Sequence, residues 1–317
     1  MFDLSIERCS GLQDEFPDRG HMKTSSSSSH CPIGKTTGIQ VLDDRLPEGL
    51  PEPCALLVLA DPASGKLLFE TGFSCNRIEK GDKVLWISME NFTDDLRKSM
   101  FSESSSSSEL MKRITFIDCY SSQICMKSPE RFCADPGNLP NLSIVTSLAM
   151  SEVGKDADLL VVLDSLSSLI QKVGVRASTE FFRTLVAKTR YLGADSLTIL
   201  NRLAFSSIEI AAFEEIADGV IELKVTEEIL DMRHYLRIRK MQQKRYISAW
   251  APYEIDQDNQ LLMRCAQDSP QCPSPVSEQL DNSDERSWPA QCIASYAEQA
   301  ESYNTNDRRL FARGFKS

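Results

Sequence analysis

A chain of 317 residues, 41% hydrophobic and 26% charged, can hold one large core or two small ones and has an ordinary globular composition. Its formal net charge of −11 excludes bulk attraction to nucleic-acid phosphates, so a nucleic-acid partner is not expected except through a local basic patch. No run approaches the roughly 18–20 apolar residues that cross a bilayer, so no membrane anchor is expected. The first residues carry Glu, Asp and Ser where a secretory leader has a basic and then an apolar segment. A cytoplasmic location with reduced thiols is the expectation. The ten cysteines include no C-x-x-C pair, and His21, His30 and His234 are scattered. Zinc sites need closely spaced pairs, so no structural metal is expected.

Residues 1–34 lack hydrophobic periodicity and contain the serine run Ser25–Ser29, which predicts a disordered arm. A patterned region then runs from 35 to 265. Helices are predicted over 38–46, 66–78, 93–101, 142–151, 177–192 and 208–216. Strands are predicted over 54–60, 84–88, 114–118, 159–164, 197–201, 220–225 and 235–241, with further pairing near 246–255 and 261–264. A second serine run, Ser104–Ser108, reads as an exposed loop. The first five strands are short apolar runs without strict alternation, as in strands buried on both faces. Helices between such strands imply an α/β fold, a mostly parallel twisted sheet covered on both faces. Everything after Val220 is strand and turn, which predicts an antiparallel extension at the C-terminal edge. Residues 266–317, with Pro270, Pro273, Pro275 and Pro289 among Ser, Gln and Asp, predict a loosely ordered acidic tail, with Tyr296 to Phe315 as a short docking helix.

The stretch Leu56 to Leu67 reads as an altered phosphate-binding loop. An intact loop, G-x-x-x-x-G-K-[ST] after a buried strand, cradles phosphates on backbone N–H groups. Its Lys reaches the outer phosphates and its Ser/Thr hydroxyl holds Mg²⁺. Here the strand, Gly65 and Lys66 are present, but the first glycine is Ala60 and the hydroxyl position is Leu67. Ala63 also stands where the loop favours glycine, and each added Cβ narrows the approach to a phosphate. Ala63, Ser64, Gly65, Lys66 and Leu67 are therefore the candidate phosphate-binding residues. The plain alternative makes Lys66 a solvated residue at an ordinary helix start. A second apolar strand ends in Asp164, which at this sheet edge can hold the shell of a magnesium ion or simply cap the following turn. A third delivers Glu90, which can polarise an attacking water or favour the start of the next helix.

The order of these features resembles the RecA superfamily, and within it the KaiC-like group of archaeal and bacterial ATPases. Their opening phrase is similar to Thr37-Gly38-Ile39 through Leu42-Asp43, followed by Gly49-Leu50-Pro51, with a glycine triplet reduced to Gly49. Their acidic pair corresponds to Glu90 and Asn91, and their D-S-L-S phrase to Asp164-Ser165-Leu166-Ser167. Their closing pattern matches Ala217 to Leu223, Arg233 to Met241 and Pro252 to Ile255. The resemblance covers residues 36 to 264. It implies a RecA-like sheet, ATP and Mg²⁺ as ligands, and self-association that sets a closing Lys, here Lys240, against a neighbour's nucleotide. The Arg expected two residues later is Gln242, and the loss of such a finger costs about 10³–10⁵ in rate. Arg202 stands where related chains end a core strand in Asn-Gln.

Loop glycines, magnesium hydroxyl, second carboxylate and trans arginine all differ. The resemblance therefore implies a pseudo-ATPase acting as a regulatory or scaffold protein through protein partners, with weak or no nucleotide binding. The alternative that the resemblance implies is a slow ATPase working as an oligomeric signalling switch and using Glu90 and, in trans, Lys240. A recombinase-paralogue role on DNA rests only on the basic cluster Arg233, Arg237, Arg239, Lys240, Lys244 and Arg245, which an edge strand protected by charge explains more simply.

Overall fold

The computed structural model describes residues 34–101, 107–153, 158–227 and 232–255. All of them lie within the first of two compact units, residues 1–267. The expected arm (Gly34 apart), the strand near 261–264, the acidic tail and its docking helix lie outside the described residues.

The core is a sheet of nine strands in the order β4-β3-β2-β5-β6-β1-β7-β8-β9. These are β1 (Ala55–Ala60), β2 (Lys83–Ser88), β3 (Ile114–Asp118), β4 (Phe132–Cys133), β5 (Leu159–Leu163), β6 (Asp195–Asn201), β7 (Gly219–Glu227), β8 (Met232–Met241) and β9 (Ala251–Tyr253). Pairing is parallel from β4 through β7 and antiparallel for β7–β8 and β8–β9. The α/β reading with an antiparallel C-terminal extension holds.

β1 and β5 are buried at every residue. Their side chains alternate between two cores, one on each face of the sheet. Leu56, Val58 and Ala60 join Trp86, Val162 and the helix α2 (Lys66–Glu79) through Phe69 and Phe73. Leu57 and Leu59 join the other core. There they meet α6 (Leu139–Val153), α7 (Leu166–Val173), α8 (Val175–Tyr191) and α9 (Ser207–Ile216) through Leu142, Leu169, Phe182 and Phe213.

The helix predicted over 38–46 is confined to α1 (Gln40–Asp43). The Asp43 carboxylate turns back to accept from Thr37 N and Oγ1, both at 2.7 Å, and from Gly38 N at 3.0 Å. These bonds tie Thr37 and Gly38 back onto Asp43, with Gly38 at φ +80° rather than in a helical turn, and Pro47 offers no N–H to continue the helix. The retained Gly49 lies at φ +69°, and a Cβ there would meet the Gly34 backbone at 2.6 Å, so no other residue fits. Leu166 to Ile170, read as a turn after Asp164, is the start of a true helix: Ser165 Oγ accepts from Ser168 N at 3.0 Å and caps α7. Of the serine run read as a loop, Ser107 and Ser108 open α4 (Ser107–Met111), and residues 104–106 lie outside the described residues. The short α5 (Tyr120–Gln123) and two-residue β4 carry too little pattern to predict. α3 (Thr93–Met100) follows β2 as expected.

β8 is not a bare edge strand. β9 pairs with it at His234 to Leu236, and a register shift opposite Val220 and Ile221 leaves Arg239 as an extra residue. Arg237 then lies 2.7 Å from the buried Glu222, with the Trp250 ring 4.4 Å from its guanidinium carbon. A buried carboxylate needs such counter-charges, which explains part of the basic cluster without solvent or DNA.

Candidate phosphate-binding site

β1, β2 and β5 end at the same sheet edge, and the predicted site residues leave from those ends. After β1 the chain turns through Asp61 to Gly65 into α2. Asp61 N donates to Leu223 O at 2.9 Å, and the Asp61 carboxylate accepts from Arg202 at 2.8 Å and from Val225 N at 3.3 Å. Ala63 lies at φ +61° and Gly65 at φ +71°, both left-handed. An alanine there carries a strain of roughly 1–2 kcal/mol that the surroundings must offset.

That support comes from the antiparallel strands. His234 Nε2 lies 3.2 Å from Ala63 O, and the buried Tyr253 hydroxyl donates to Ser64 O at 2.6 Å. A Cβ on Gly65 would stand 2.7 Å from Ile255 Cδ1, the movable end of that side chain, so it is the left-handed dihedral more than space that favours glycine here. Tyr253→Phe removes one of these ties. It is expected to cost about 1 kcal/mol in chemical denaturation, and an unchanged midpoint would show that the strands do not hold the loop.

The first N–H groups of α2 have no intrahelical acceptors, and Gly65 supplies no side-chain cap. With Lys66 beside them they form an anion-attracting helix start. Lys66, however, is already engaged. Its Nζ lies 2.5 Å from Glu90 Oε2, while Glu90 Oε1 accepts from Ser165 Oγ at 2.6 Å and Ser168 Oγ at 2.8 Å. Burial alone would raise the Glu90 pKa, but the bonds from Lys66, Ser165 and Ser168 outweigh it and hold the carboxyl below its usual value. That weakens it as a proton acceptor. Neither alternative role, as a helix-start carboxylate or a solvated lysine, describes what these two side chains do.

Asp164 lies beneath them and is not the cap of α7. Its Oδ1 accepts from Met89 N at 2.7 Å and its Oδ2 lies 3.4 Å from Ser88 Oγ. Burial pushes its carboxyl up to about 6 against the pull of the Met89 N–H. Glu70, one turn into α2, is a residue the sequence reading passed over. It is buried, its Oε1 has no hydrogen-bond partner, and burial together with the Asp164 charge pushes its carboxyl well above the usual range. The available signal was an acid at an inward helical position, i+3 from Leu67 and i−3 from Phe73.

The loop's own donor for a magnesium ion does not fit. Leu67, at the hydroxyl position, packs against the apolar core on the α2 face, and the Asp164 carboxylate accepts from Met89 N inside the protein. The helix start does fit a phosphate. Lys240, expected to reach a neighbour, donates to Glu214 O and Ala217 O at 2.7 Å each, where it closes the last carbonyls of α9. Gln242 is exposed on the chain leaving β8.

A family profile described as KaiC ATPase matches residues 35–262. The chain belongs to the KaiC ATPase family. It is 27% identical over 227 residues to a UPF0273 protein of Aeropyrum pernix strain K1, covering 69% of this chain and 89% of that one. It is 23% identical to a UPF0273 protein of Thermotoga maritima strain MSB8, covering 69% and 91%. The crystal structure of a KaiC-like protein from Pyrococcus horikoshii OT3 superposes with a TM-score of 0.55 at 22% identity, over 73% of this chain and 98% of that one. This last likeness concerns the fold. Within the KaiC frame, many of the phrases kept here are structural ties. Asp218 Oδ2 accepts from Ala55 N at 2.9 Å, Asp43 closes the opening turn, and Ser167 Oγ accepts from Asn201 N at 2.7 Å.

Proposed function

We propose that this KaiC-family chain is a pseudo-ATPase, a regulatory or scaffold protein that binds nucleotide weakly through its phosphates and hydrolyses little of it. The observation that carries the reading is the closed Lys66–Glu90 pair. The cation that would meet the outer phosphates and the carboxylate that would polarise water neutralise each other, 2.5 Å apart. Leu67 supplies no metal ligand. Both side chains of the pair are about one-third exposed, at 36% and 34%. Such a pair is worth no more than about 1 kcal/mol, so a phosphate can take Lys66 at small cost. The pair therefore weakens phosphate binding without abolishing it, and Leu67 at the hydroxyl position is what argues against magnesium-dependent chemistry.

Calorimetry with ATP and ADP, with and without Mg²⁺, tests this on the wild type and Lys66→Ala. The expected result is weak binding, equal with and without Mg²⁺, and lost in Lys66→Ala. Tight binding that requires Mg²⁺ would overturn the reading.

A second reading, a slow ATPase working as an oligomeric switch, is favoured by the convergence of Lys66, Glu90 and Asp164 on one sheet edge. A role on DNA loses support because Arg237 and Arg239 face Glu222 and Glu214.

A further inference from the structure

His234 and Tyr253 stand directly opposite each other on β8 and β9, with ring centroids 5.3 Å apart. Ala63 O faces the first and Ser64 O accepts from the second, so one cross-strand pair meets two successive carbonyls of the phosphate loop. A trans peptide is planar, and its C=O and N–H point in opposite directions. With Ala63 O turned to His234, the Ser64 N–H points the other way and donates to Asp61 O at 3.2 Å, which closes the turn. With Ser64 O turned to Tyr253, the Gly65 N–H points away from β9 and has no acceptor among the described residues. It heads the row of N–H groups at the start of α2 that lack intrahelical acceptors.

Glycine leaves this peptide free to turn over. Gly65 lies at φ +71°, and without a Cβ it is as readily accommodated at negative φ. The turned peptide would present the Ser64 carbonyl oxygen to an anion and withdraw one N–H from it. Among the described residues no backbone N–H donates to Ser64 O, so the Tyr253 hydroxyl, 2.6 Å away, is the bond that opposes the turn. The side chain is 3% exposed. Burial, with the Asp61 charge adding to it, pushes its hydroxyl well above the ordinary value, so it keeps its proton and donates. We propose that Tyr253 is a positioning residue of the phosphate site, whose hydroxyl holds the Ser64–Gly65 peptide with its N–H turned to the bound phosphate. The proposal rests on the phosphate-binding reading above and adds that β9, through this one bond, sets the affinity.

Inorganic pyrophosphate and ATP, titrated by calorimetry into the full chain without Mg²⁺, test this in the wild type, Tyr253→Phe and Tyr246→Phe. The last removes a hydroxyl that donates to Arg239 O at 3.2 Å, towards the other end of β8. Affinity for both ligands is expected to fall at least about fivefold in Tyr253→Phe and to stay unchanged in Tyr246→Phe. The amide resonance of Gly65 is expected to move on addition of pyrophosphate in the wild type and to move less in Tyr253→Phe, which a general softening of the fold would not produce. Equal binding by wild type and Tyr253→Phe would overturn the proposal and leave the phosphate reading standing. Absence of binding throughout would overturn that reading and this one with it. Should Tyr253→Phe fail to fold, the wild-type Gly65 resonance decides, and its indifference to saturating pyrophosphate would overturn the proposal.

Discussion

Arg77→Ala is expected to lower the stability of the folded unit by about 3–5 kcal/mol, the cost of leaving buried charges without their partner. The Arg77 side chain is 2% exposed and lies between Asp82, which its Nε contacts, and Asp195, 2.8 Å from its Nη2. Asp195 also accepts from Cys54 N at 2.9 Å, so the cluster fixes the entry of the chain into β1. Removal of the guanidinium takes a buried counter-charge from both Asp82 and Asp195, and Asp195 keeps Lys35, at 3.4 Å, and that backbone donor. Urea denaturation reads the loss. The cluster stands at the far end of β1 and β6 from the phosphate loop, so nucleotide affinity of the folded fraction is expected to stay at the wild-type level. A shift below about 1 kcal/mol would show that the pair network contributes little, as many buried pairs do against apolar replacements.

Glu70→Gln is expected to stabilise the protein at alkaline pH and to leave it unchanged near pH 4. The Glu70 carboxyl is raised well above the ordinary 4.5 by burial, with the Asp164 charge adding to it. A folded-state value above the unfolded one means that the native protein holds the proton while the unfolded chain has released it. Stability from this group is therefore full below about 4.5, falls as pH rises through that value, and levels off above the folded pKa. Each unit of difference is worth about 1.4 kcal/mol, so even a modest shift outweighs the loss of one hydrogen bond. Asp164, raised to about 6 from 3.8, bends the curve in the same direction. Denaturation midpoints of wild type and Glu70→Gln, compared from pH 4 to 9, should diverge as pH rises. Parallel curves would show that Glu70 is solvated or partnered in solution.

Much of the architecture was legible because its signals are local. β1 and β5 read as buried strands from uninterrupted apolar runs, and the sheet edge that collects Lys66, Glu90 and Asp164 follows from placing those runs side by side. The opening of α7 was hidden because Ser165 and Ser168 look like loop residues until one caps the other. α1 was overextended because its hydrophobic spacing is good, while the decisive bond from Asp43 back to Thr37 is a side-chain matter.

The sequence brings Lys66, Glu90 and Asp164 to one sheet edge but does not give the contacts they make there. That Lys66 meets Glu90 depends on a contact across 24 residues, and that Lys240 turns inward depends on where α9 ends. Glu70 looked like one more polar residue on a helix, and only the packing of α2, through Phe69 and Phe73, into the core with Trp86 shows it to be sealed. Pairings of this kind arise from tertiary geometry, which periodicity does not encode.

Single-turnover hydrolysis of ATP, measured with excess wild-type protein and Mg²⁺ beside Lys66→Ala and Glu90→Gln, tests the central claim most directly. The closed Lys66–Glu90 pair and the apolar Leu67 predict a rate in the wild type no faster than in either variant. A magnesium-dependent rate that falls in both variants would contradict it and identify the chain as a working ATPase.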